Sequence, residues 1–290
     1  MDVNEVFITC ADKWAKDGVD DRISDAIDKF EEWANNFDKN EREILAKILQ
    51  KFEYYSRNFI TRIVEELSLE SIKKYGISEA DSVISVVRKV DGKYNSSYDY
   101  WLLHRIVSGL SKEIYYDSVD SIDDMDWDNI KKVVYVDDCS GSGKQFVKFI
   151  QRQRKSFFDK QIVLIVIEAA QNAKSYIKNE LKKDGINVEI LAYSTKEKAL
   201  KNILEKEKET FYSMSQKQGI IKKYILGYDE AEALMAFYNN TPNDTLGLFW
   251  FPSEKNQPIF PRNLEKKPGW KLNKEEKVKR RRQQYEAKCS

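Results

Sequence analysis

The six consecutive apolar residues at positions 162–167, IVLIVI, constrain the fold more than any other segment. A strand with no polar residue on either side is typical of a parallel sheet that helices cover on both faces. Further strands are predicted over residues 82–90, 133–136 and 187–193, and helical patterns lie between them. Since strands and helices alternate, the sequence predicts an α/β fold with a parallel, helix-covered sheet.

The segments that flank this sheet have different patterns. Residues 3–75 repeat apolar side chains every three or four positions, with Asp38 or Asn40 as a helix cap and Gly76 at the end, and they predict helices. Residues 196–224 predict a further long polar helix. The expected regions are a helical region at 1–78, the α/β domain at 79–226, an irregular C-terminal extension at 227–264 and a basic tail at 265–290.

The net charge of +1 hides an uneven distribution along the chain. Residues 1–130 contain 28 acidic and 17 basic residues, whereas residues 131–290 contain 20 acidic and 32 basic ones. The tail includes the run KRRR at positions 279–282. Such a tail binds the phosphates of nucleic acid, or it forms a solvated helix that docks on an acidic partner or on the acidic half of this chain. Nucleic acid is therefore one candidate partner of residues 265–290.

The sequence favours a cytoplasmic protein without a membrane anchor. No apolar run approaches the roughly 20 residues that a membrane span needs, and the first residues do not read as a secretory signal. The cysteines Cys10, Cys139 and Cys289 are far apart and odd in number. This spacing fits neither a disulfide framework nor a zinc site.

Two acids and a small-residue loop follow the predicted strand at 133–136. Ligands of open α/β sheets bind beyond the carboxyl ends of the strands. Asp137 and Asp138 at that end can accept hydrogen bonds from ribose hydroxyls, or help to hold a hydrated Mg²⁺ ion. The next residues form a loop whose amides can turn toward a phosphate: Cys139, Ser140, Gly141, Ser142, Gly143 and Lys144. The segment predicts a cradle for a ribose phosphate.

Two better-known phosphate loops do not fit this segment. A Walker A loop requires a glycine where Asp138 stands and a serine or threonine where Gln145 stands. The dinucleotide fingerprint requires a final glycine, and Phe146 occupies that place. An ordinary glycine-rich turn with two capping acids remains as an alternative. Cys139 is then interpreted as a small space-filling residue rather than as a nucleophile.

The order of strand, acidic pair and small-residue loop resembles the PRPP (5-phosphoribosyl 1-diphosphate) signature of type I phosphoribosyltransferases. In that family the acids contact the ribose hydroxyls, and the loop wraps the 5-phosphate. The resemblance assigns Asp137 and Asp138 to the ribose and residues 140–144 to the phosphate, with Mg²⁺ as the cofactor. It also implies a pyrophosphate loop after an earlier strand, with these candidates: Arg88, Lys89, Lys93, Ser96 and Ser97. The alternative for this loop is an ordinary turn in which Ser96 or Ser97 caps the next helix.

The C-terminal residues carry a second resemblance, to the C-terminal-extended phosphoribosyltransferase-like family (PRTase-CE) of bacterial conflict and antiviral systems. The matching residues are TPNDTL at 241–246, Trp250 and PIFPR at 258–262. Asp244 and Gly247 depart from the family pattern, in which an asparagine and a proline are usual. The resemblance suggests that Asn243, Trp250 and Arg262 line the acceptor side of the cleft. The alternative is a local turn, with Trp250 in the core.

Several functions are compatible with these resemblances. The first is an effector of a bacterial antiviral system that binds PRPP or a nucleotide with Mg²⁺, either as a phosphoribosyltransferase or as a hydrolase of nucleotide glycosidic bonds. The second is a catalytically inactive nucleotide sensor or assembly subunit. Both imply a protein partner from the same defence locus. The third is nucleic-acid binding by the basic tail.

Overall fold

The computed structural model describes residues 2–88 and 96–262. Two pyrophosphate-side candidates, Lys89 and Lys93, lie outside these residues. So does the tail at 265–290, with its predicted partner nucleic acid. Across the described ranges, no helix combines the length and apolarity that a membrane crossing needs.

The N-terminal region is helical where the apolar spacing predicts helices. Its helices are α1 (Val3–Trp14), α2 (Asp21–Ala34), α3 (Lys39–Leu49) and α4 (Arg57–Tyr75). Asp38 caps α3 in a capping box, because its carboxylate accepts from the Glu41 amide and the Glu41 side chain accepts from the Asp38 amide, both at 3.0 Å. Gly76 ends α4 in the left-handed conformation. The expectation of helices throughout is wrong at one place, where the strand β1 (Glu53–Tyr55) separates α3 from α4.

Among the residues that the structure describes, the central sheet has five strands, all of them parallel, which confirms the α/β prediction. The strands are β2 (Ser82–Val86), β3 (Tyr115–Tyr116), β4 (Lys132–Ser140), β5 (Gln161–Ala170) and β6 (Asn187–Lys196), and their spatial order is β3-β2-β4-β5-β6. The apolar run at 162–167 lies in β5 and is buried throughout, since β4 and β6 flank it and helices cover both faces.

The helices divide between the two faces of this sheet. On one face, α4 and α5 (Ser97–Val107) pack against β4, β5 and β6. The other face is covered by α6 (Asp124–Asn129), α7 (Lys144–Ile150) and α8 (Gln171–Lys183), through residues such as Trp127, Phe146 and Ile177. Three-layer packing of this kind leaves the carboxyl ends of the strands as the open edge of the domain.

The strand order contains a switch point at this open edge. After β2 the chain places β3 on one side of it, and then returns to place β4 on the other side. The helices that follow these strands, α5 after β2 and α7 after β4, lie on opposite faces of the sheet, and this arrangement is the one that forms a crevice between two strand ends. Ligands of doubly wound sheets bind in this crevice.

Two predicted boundaries differ from the structure. The strand predicted at 133–136 continues through the acidic pair to Ser140, because pairing with β5 continues from Asp137 opposite Val166 to Ser140 opposite Ala169. The polar helical region predicted over 196–224 is helical only in part. Lys196 ends β6, and the helices are α9 (Glu205–Lys217) and α10 (Lys222–Ile225), with Gly219 at a positive φ of 74° between them.

The N-terminal helices and the C-terminal extension share one hydrophobic core. The strand β7 (Met235–Phe237) pairs in parallel with β1, which joins the two ends of the chain. The rings of Phe52 and Phe249 lie 5.1 Å apart, and the rings of Phe52 and Phe260 lie 5.2 Å apart. The helices α1 to α3 and the extension thus belong to one packed unit, to which α9 and α10 also contribute.

Because the core is shared, a truncation inside the extension should destabilise the whole protein. We expect Phe249→Ala to lower the free energy of unfolding by about 3–5 kcal/mol, since the ring is fully buried. Phe158→Ala is the matched control, because that ring is 82% exposed and its loss should change stability by less than about 0.5 kcal/mol. Urea unfolding measures the free energy of unfolding of both variants. A loss of stability in Phe249→Ala that is no larger than that in Phe158→Ala would contradict the shared core.

Candidate functional site

Two serine hydroxyls hold the acidic pair at the switch point. Ser97 Oγ donates to Asp137 Oδ1 at 2.5 Å, and Ser96 Oγ donates to Asp138 Oδ2. The amide of Asp138 also donates to Asp137 Oδ1, at 2.9 Å. The carboxylates at the end of β4 therefore already accept hydroxyl donors from the segment that follows β2.

The buried position of Asp137 perturbs its ionisation. Both residues of the pair are 7% exposed. Burial, followed by the charge of Asp138, raises the pKa of Asp137 well above its ordinary value, although the Ser97 hydroxyl opposes the shift. A group that donates hydrogen bonds to these carboxylates, or that carries positive charge, would relieve this unfavourable burial.

The loop after β4 is closely packed at its two glycines. A side chain on Gly143, at a φ of +76°, would approach the Ala173 carbonyl to 2.9 Å and the Ile177 side chain to 2.8 Å. The backbone therefore lies directly on α8, which fixes the loop. Ser142 Oγ accepts from the Lys144 amide at 3.4 Å, and Lys144 is exposed, with its ammonium 3.6 Å from Asp229.

The amide of Gly141 has an anionic partner from the C-terminal extension. Gly141 N donates to Asp244 Oδ2 at 3.2 Å. Burial, followed by the charge of Asp138, raises the pKa of Asp244 to about 6, while the Gly141 hydrogen bond and Arg262 act in the opposite direction. The structure thus places an anionic oxygen on the loop to which the sequence assigns a phosphate.

The loop thiol is not activated. Cys139 is partly buried in β4, and burial followed by the charges of Asp138 and Asp244 raises the pKa of its thiol well above the ordinary value. A thiol with a raised pKa is a poor nucleophile at neutral pH.

The pyrophosphate-side candidates separate into two places. Arg88 pairs with Asp117 at 2.8 Å on the far side of β2. Ser96 is the N-cap residue of α5, as expected, but its hydroxyl donates to Asp138 and makes no cap hydrogen bond. A pyrophosphate role for Ser96 and Ser97 stays a prediction, and their hydroxyls lie on the ribose-side acids.

The acceptor-side candidates lie in the extension, where Trp250 and Arg262 contact each other. Trp250 is 3% exposed, its indole N–H donates to the Thr245 carbonyl at 2.7 Å, and its ring lies under the Arg262 guanidinium. Arg262 also donates to the Thr241 carbonyl at 3.2 Å. The backbone carbonyl of Asn243 accepts from Tyr228 at 2.7 Å. Trp250 therefore offers no open face for stacking, as the alternative interpretation expects, and an acceptor role for Asn243 and Arg262 stays a prediction.

A polar chain that the sequence does not reveal ties α5 to the extension. Tyr100 donates to Asn239 Oδ1 at 3.2 Å, and Asn239 donates to Asp99 Oδ2 at 3.0 Å. Burial, followed by the charge of Asp138, raises the pKa of Tyr100 well above its usual range. These hydrogen bonds fix α5, which carries Ser97, against the extension, which carries Asp244.

Comparison with known proteins identifies the family of this chain. The sequence model of PRTase-CE matches residues 30–262, which include the acidic pair, the loop and the extension. The chain belongs to the PRTase-CE family. The PRTase-CE structure is similar to Helicobacter pylori xanthine-guanine-hypoxanthine phosphoribosyltransferase, with 13% sequence identity and a TM-score of 0.33, over 55% of this chain and 97% of that one. No protein with a curated function matches it in sequence.

The carboxylates of the site fit only a sparsely ligated cation. Within residues 2–88 and 96–262, no group of three or more His, Cys, Asp or Glu side chains is arranged to hold a metal ion. Mg²⁺ commonly binds one or two carboxylates together with water and the phosphates of a ligand. Asp137 and Asp138 meet that smaller requirement.

Glu168 is a further buried acid, which the sequence did not indicate. Its burial leads us to expect that the stability of the protein depends on pH. Tyr55 donates to Glu168 Oε2 at 2.7 Å, and burial raises the pKa of Glu168 from 4.5 to about 7. The folded state favours protonated Glu168 more than the unfolded state does. This contribution to stability is fully present below about pH 4.5, and it is lost as the pH rises through about 7. Glu168→Gln should therefore stabilise the protein by about 2–3 kcal/mol more at pH 8 than at pH 5.

Urea unfolding of both proteins at the two pH values measures this difference. Glu189→Gln is the control, because Glu189 forms an exposed ion pair with Lys178 at 3.0 Å and its effect should be similar at both pH values. An equal effect of Glu168→Gln at pH 5 and pH 8 would contradict the raised pKa.

Proposed function

We propose that this PRTase-CE protein binds a 5-phosphorylated ribose, as PRPP or a nucleotide with Mg²⁺, in the crevice at the end of β4. The observation that carries the proposal is the set of groups that the site already binds. Asp137 and Asp138 accept two hydroxyls, and the loop amide of Gly141 donates to an anionic oxygen. A ribose phosphate presents the same two kinds of group, a pair of hydroxyls and an anion.

The family membership and the switch-point topology support the same ligand. The acids and the loop are consecutive in sequence, so the hydroxyl-accepting and anion-binding groups lie side by side at one strand end. Lys144, with its exposed ammonium, adds a cation beside the loop. These groups would orient a sugar with its 5-phosphate on the loop and its ring hydroxyls on the acids.

The chemistry that suits such a site is substitution or hydrolysis at C1 of the ribose. The bond to the leaving group weakens as positive charge develops on the ring, and the buried carboxylates stabilise that charge. Asp137 and Asp138 would hold Mg²⁺ through water, and the ion supplies charge neutralisation of a departing diphosphate. A role as an effector in antiviral defence, with a partner protein, rests on the family resemblance alone.

A non-catalytic nucleotide sensor is the second candidate. The internal hydroxyl and carboxylate partners favour it, because a site that is already satisfied suits a protein that responds to its ligand by rearrangement. Incubation with PRPP and a panel of bases and nucleotides separates the two functions. Product formation supports the enzyme, and binding without product supports the sensor.

The acidic pair should determine affinity for the ribose. We expect the double variant Asp137→Asn/Asp138→Asn to weaken PRPP binding at least tenfold in the presence of Mg²⁺. The substitutions replace two charged acceptors by neutral amides of about the same size. Titration calorimetry measures the affinity. Asp128→Asn, an exposed acid on α6, is the control for net charge and should bind as the unmodified protein does.

Two results would overturn the proposal. One is the absence of PRPP and nucleotide binding by the unmodified protein with Mg²⁺. The other is unchanged affinity in the double variant, which would place the ligand away from β4.

A further inference from the structure

We propose that Asp244 competes with the phosphate of a ligand for the loop, because its carboxylate occupies the position that the phosphate requires. The phosphate of a ribose phosphate then binds only by displacing this carboxylate, which lowers its affinity relative to that of the uncovered loop. This inference rests on the proposed function and extends it. The hydrogen bond from Gly141 N to Asp244 Oδ2, at 3.2 Å, is the contact at issue. A phosphate can take the Gly141 amide only if Asp244 leaves it.

The contact leaves no room for both anions. A single carbon added to Gly141 would lie 2.3 Å from Asp244 Oδ2 and 2.8 Å from the Ala231 side chain. These distances are shorter than van der Waals contact, so the extension already fills the space over the loop. The Gly141 amide is directed at Asp244 Oδ2, so a phosphate oxygen that accepted from the same amide would overlap this carboxylate.

Asp244 is held in place by the extension around it. The Asp244 carbonyl accepts from the Ala233 amide at 3.0 Å, and the next residue, Thr245, donates its hydroxyl to the Met235 carbonyl at 2.7 Å. Gly227, at a φ of +74°, approaches so closely that an added carbon would lie 2.0 Å from the Asp244 carbonyl oxygen. These contacts fix the turn that carries the Asp244 carboxylate, and β7 anchors that turn to the shared core.

The segment that covers the loop has an unusual backbone. Asp229, Glu230 and Glu232 all have positive φ angles, of 54°, 53° and 52°. Non-glycine residues seldom adopt this conformation, and each costs about 1 kcal/mol or more unless its surroundings impose it. Here the ends of the segment are fixed by Asp229 beside Lys144 and by Glu232 on the Leu200 amide. The segment that lies between Asp244 and the loop therefore stores strain.

The charges around Asp244 concentrate the effect on anionic ligands. Asp138 and Asp229 contribute negative charge near its carboxylate, and Arg262 contributes positive charge. An incoming phosphate meets the Asp244 charge directly, whereas a ribose without phosphate needs only the acids at 137 and 138. Asp244 therefore lowers the affinity for a phosphorylated ligand and leaves the affinity for the sugar alone unchanged.

The experiment compares two ligands that differ only in the phosphate. Ribose 5-phosphate and ribose are titrated calorimetrically at millimolar concentrations into the full-length unmodified protein, Asp244→Ala, Asp244→Asn and the net-charge control Asp128→Asn. We expect Asp244→Ala to bind ribose 5-phosphate at least about tenfold more tightly, because one nearby like charge is removed. Asp244→Asn should gain less, since its amide oxygen still fills the space. Ribose affinity should change by less than about twofold in every variant.

The outcomes distinguish this inference from the proposed function. Unchanged ribose 5-phosphate affinity in both Asp244 variants, with melting temperatures at least equal to that of the unmodified protein, would overturn the role of Asp244 and leave the site at β4 standing. An equal gain for ribose and ribose 5-phosphate would overturn it too, because the selectivity would be absent. If ribose 5-phosphate bound none of the proteins, both the inference and the proposed function would fail.

Discussion

The burial of two adjacent carboxylates at the end of a central strand is the constraint on which the site depends. β4 has strands on both sides and helices on both faces, so Asp137 and Asp138 are each only 7% exposed. Isolated buried charges are strongly unfavourable, and these two are tolerated because hydroxyls and amides surround them. Ser96, which precedes α5, and Ser97, in its first turn, supply the hydroxyls that offset this cost.

The extension completes the site from outside the sheet. β7 pairs with β1, and the rings of Phe249 and Phe260 pack among those of the N-terminal helices. This packing holds the turn that contains Asp244 over Gly141. The N-terminal helices and the extension are far apart in the sequence, but they act together on the loop that lies between them along the chain.

The sequence predicted those parts of the structure that local pattern determines. The apolar run of β5, the cap at Asp38 and the glycine at the end of α4 each depend on neighbours within a few residues, and each was correct. The strand β1 was missed because three residues carry no period, and only the distant β7 makes them a strand. The end of β4 was missed because pairing with β5 extends the strand into polar residues.

The site followed the same division. The acids and the loop were recognised because they are consecutive, but the partners of both come from elsewhere: Ser96 and Ser97 belong to another strand end, and Asp244 lies about 100 residues after Gly141. In the sequence Asp244 was only a departure from a family pattern. No spacing rule relates residues so far apart, so its contact with the loop required the fold.

This separation along the chain has a consequence for the newly made protein. Synthesis proceeds at about 5–20 residues per second, so the roughly 100 residues between Gly141 and Asp244 take about 5–20 s to add. During that interval β4 and its loop have left the ribosome's active centre, and the carboxylate that later covers the loop does not yet exist. A cellular anion that reaches the nascent sheet in this period meets no competitor.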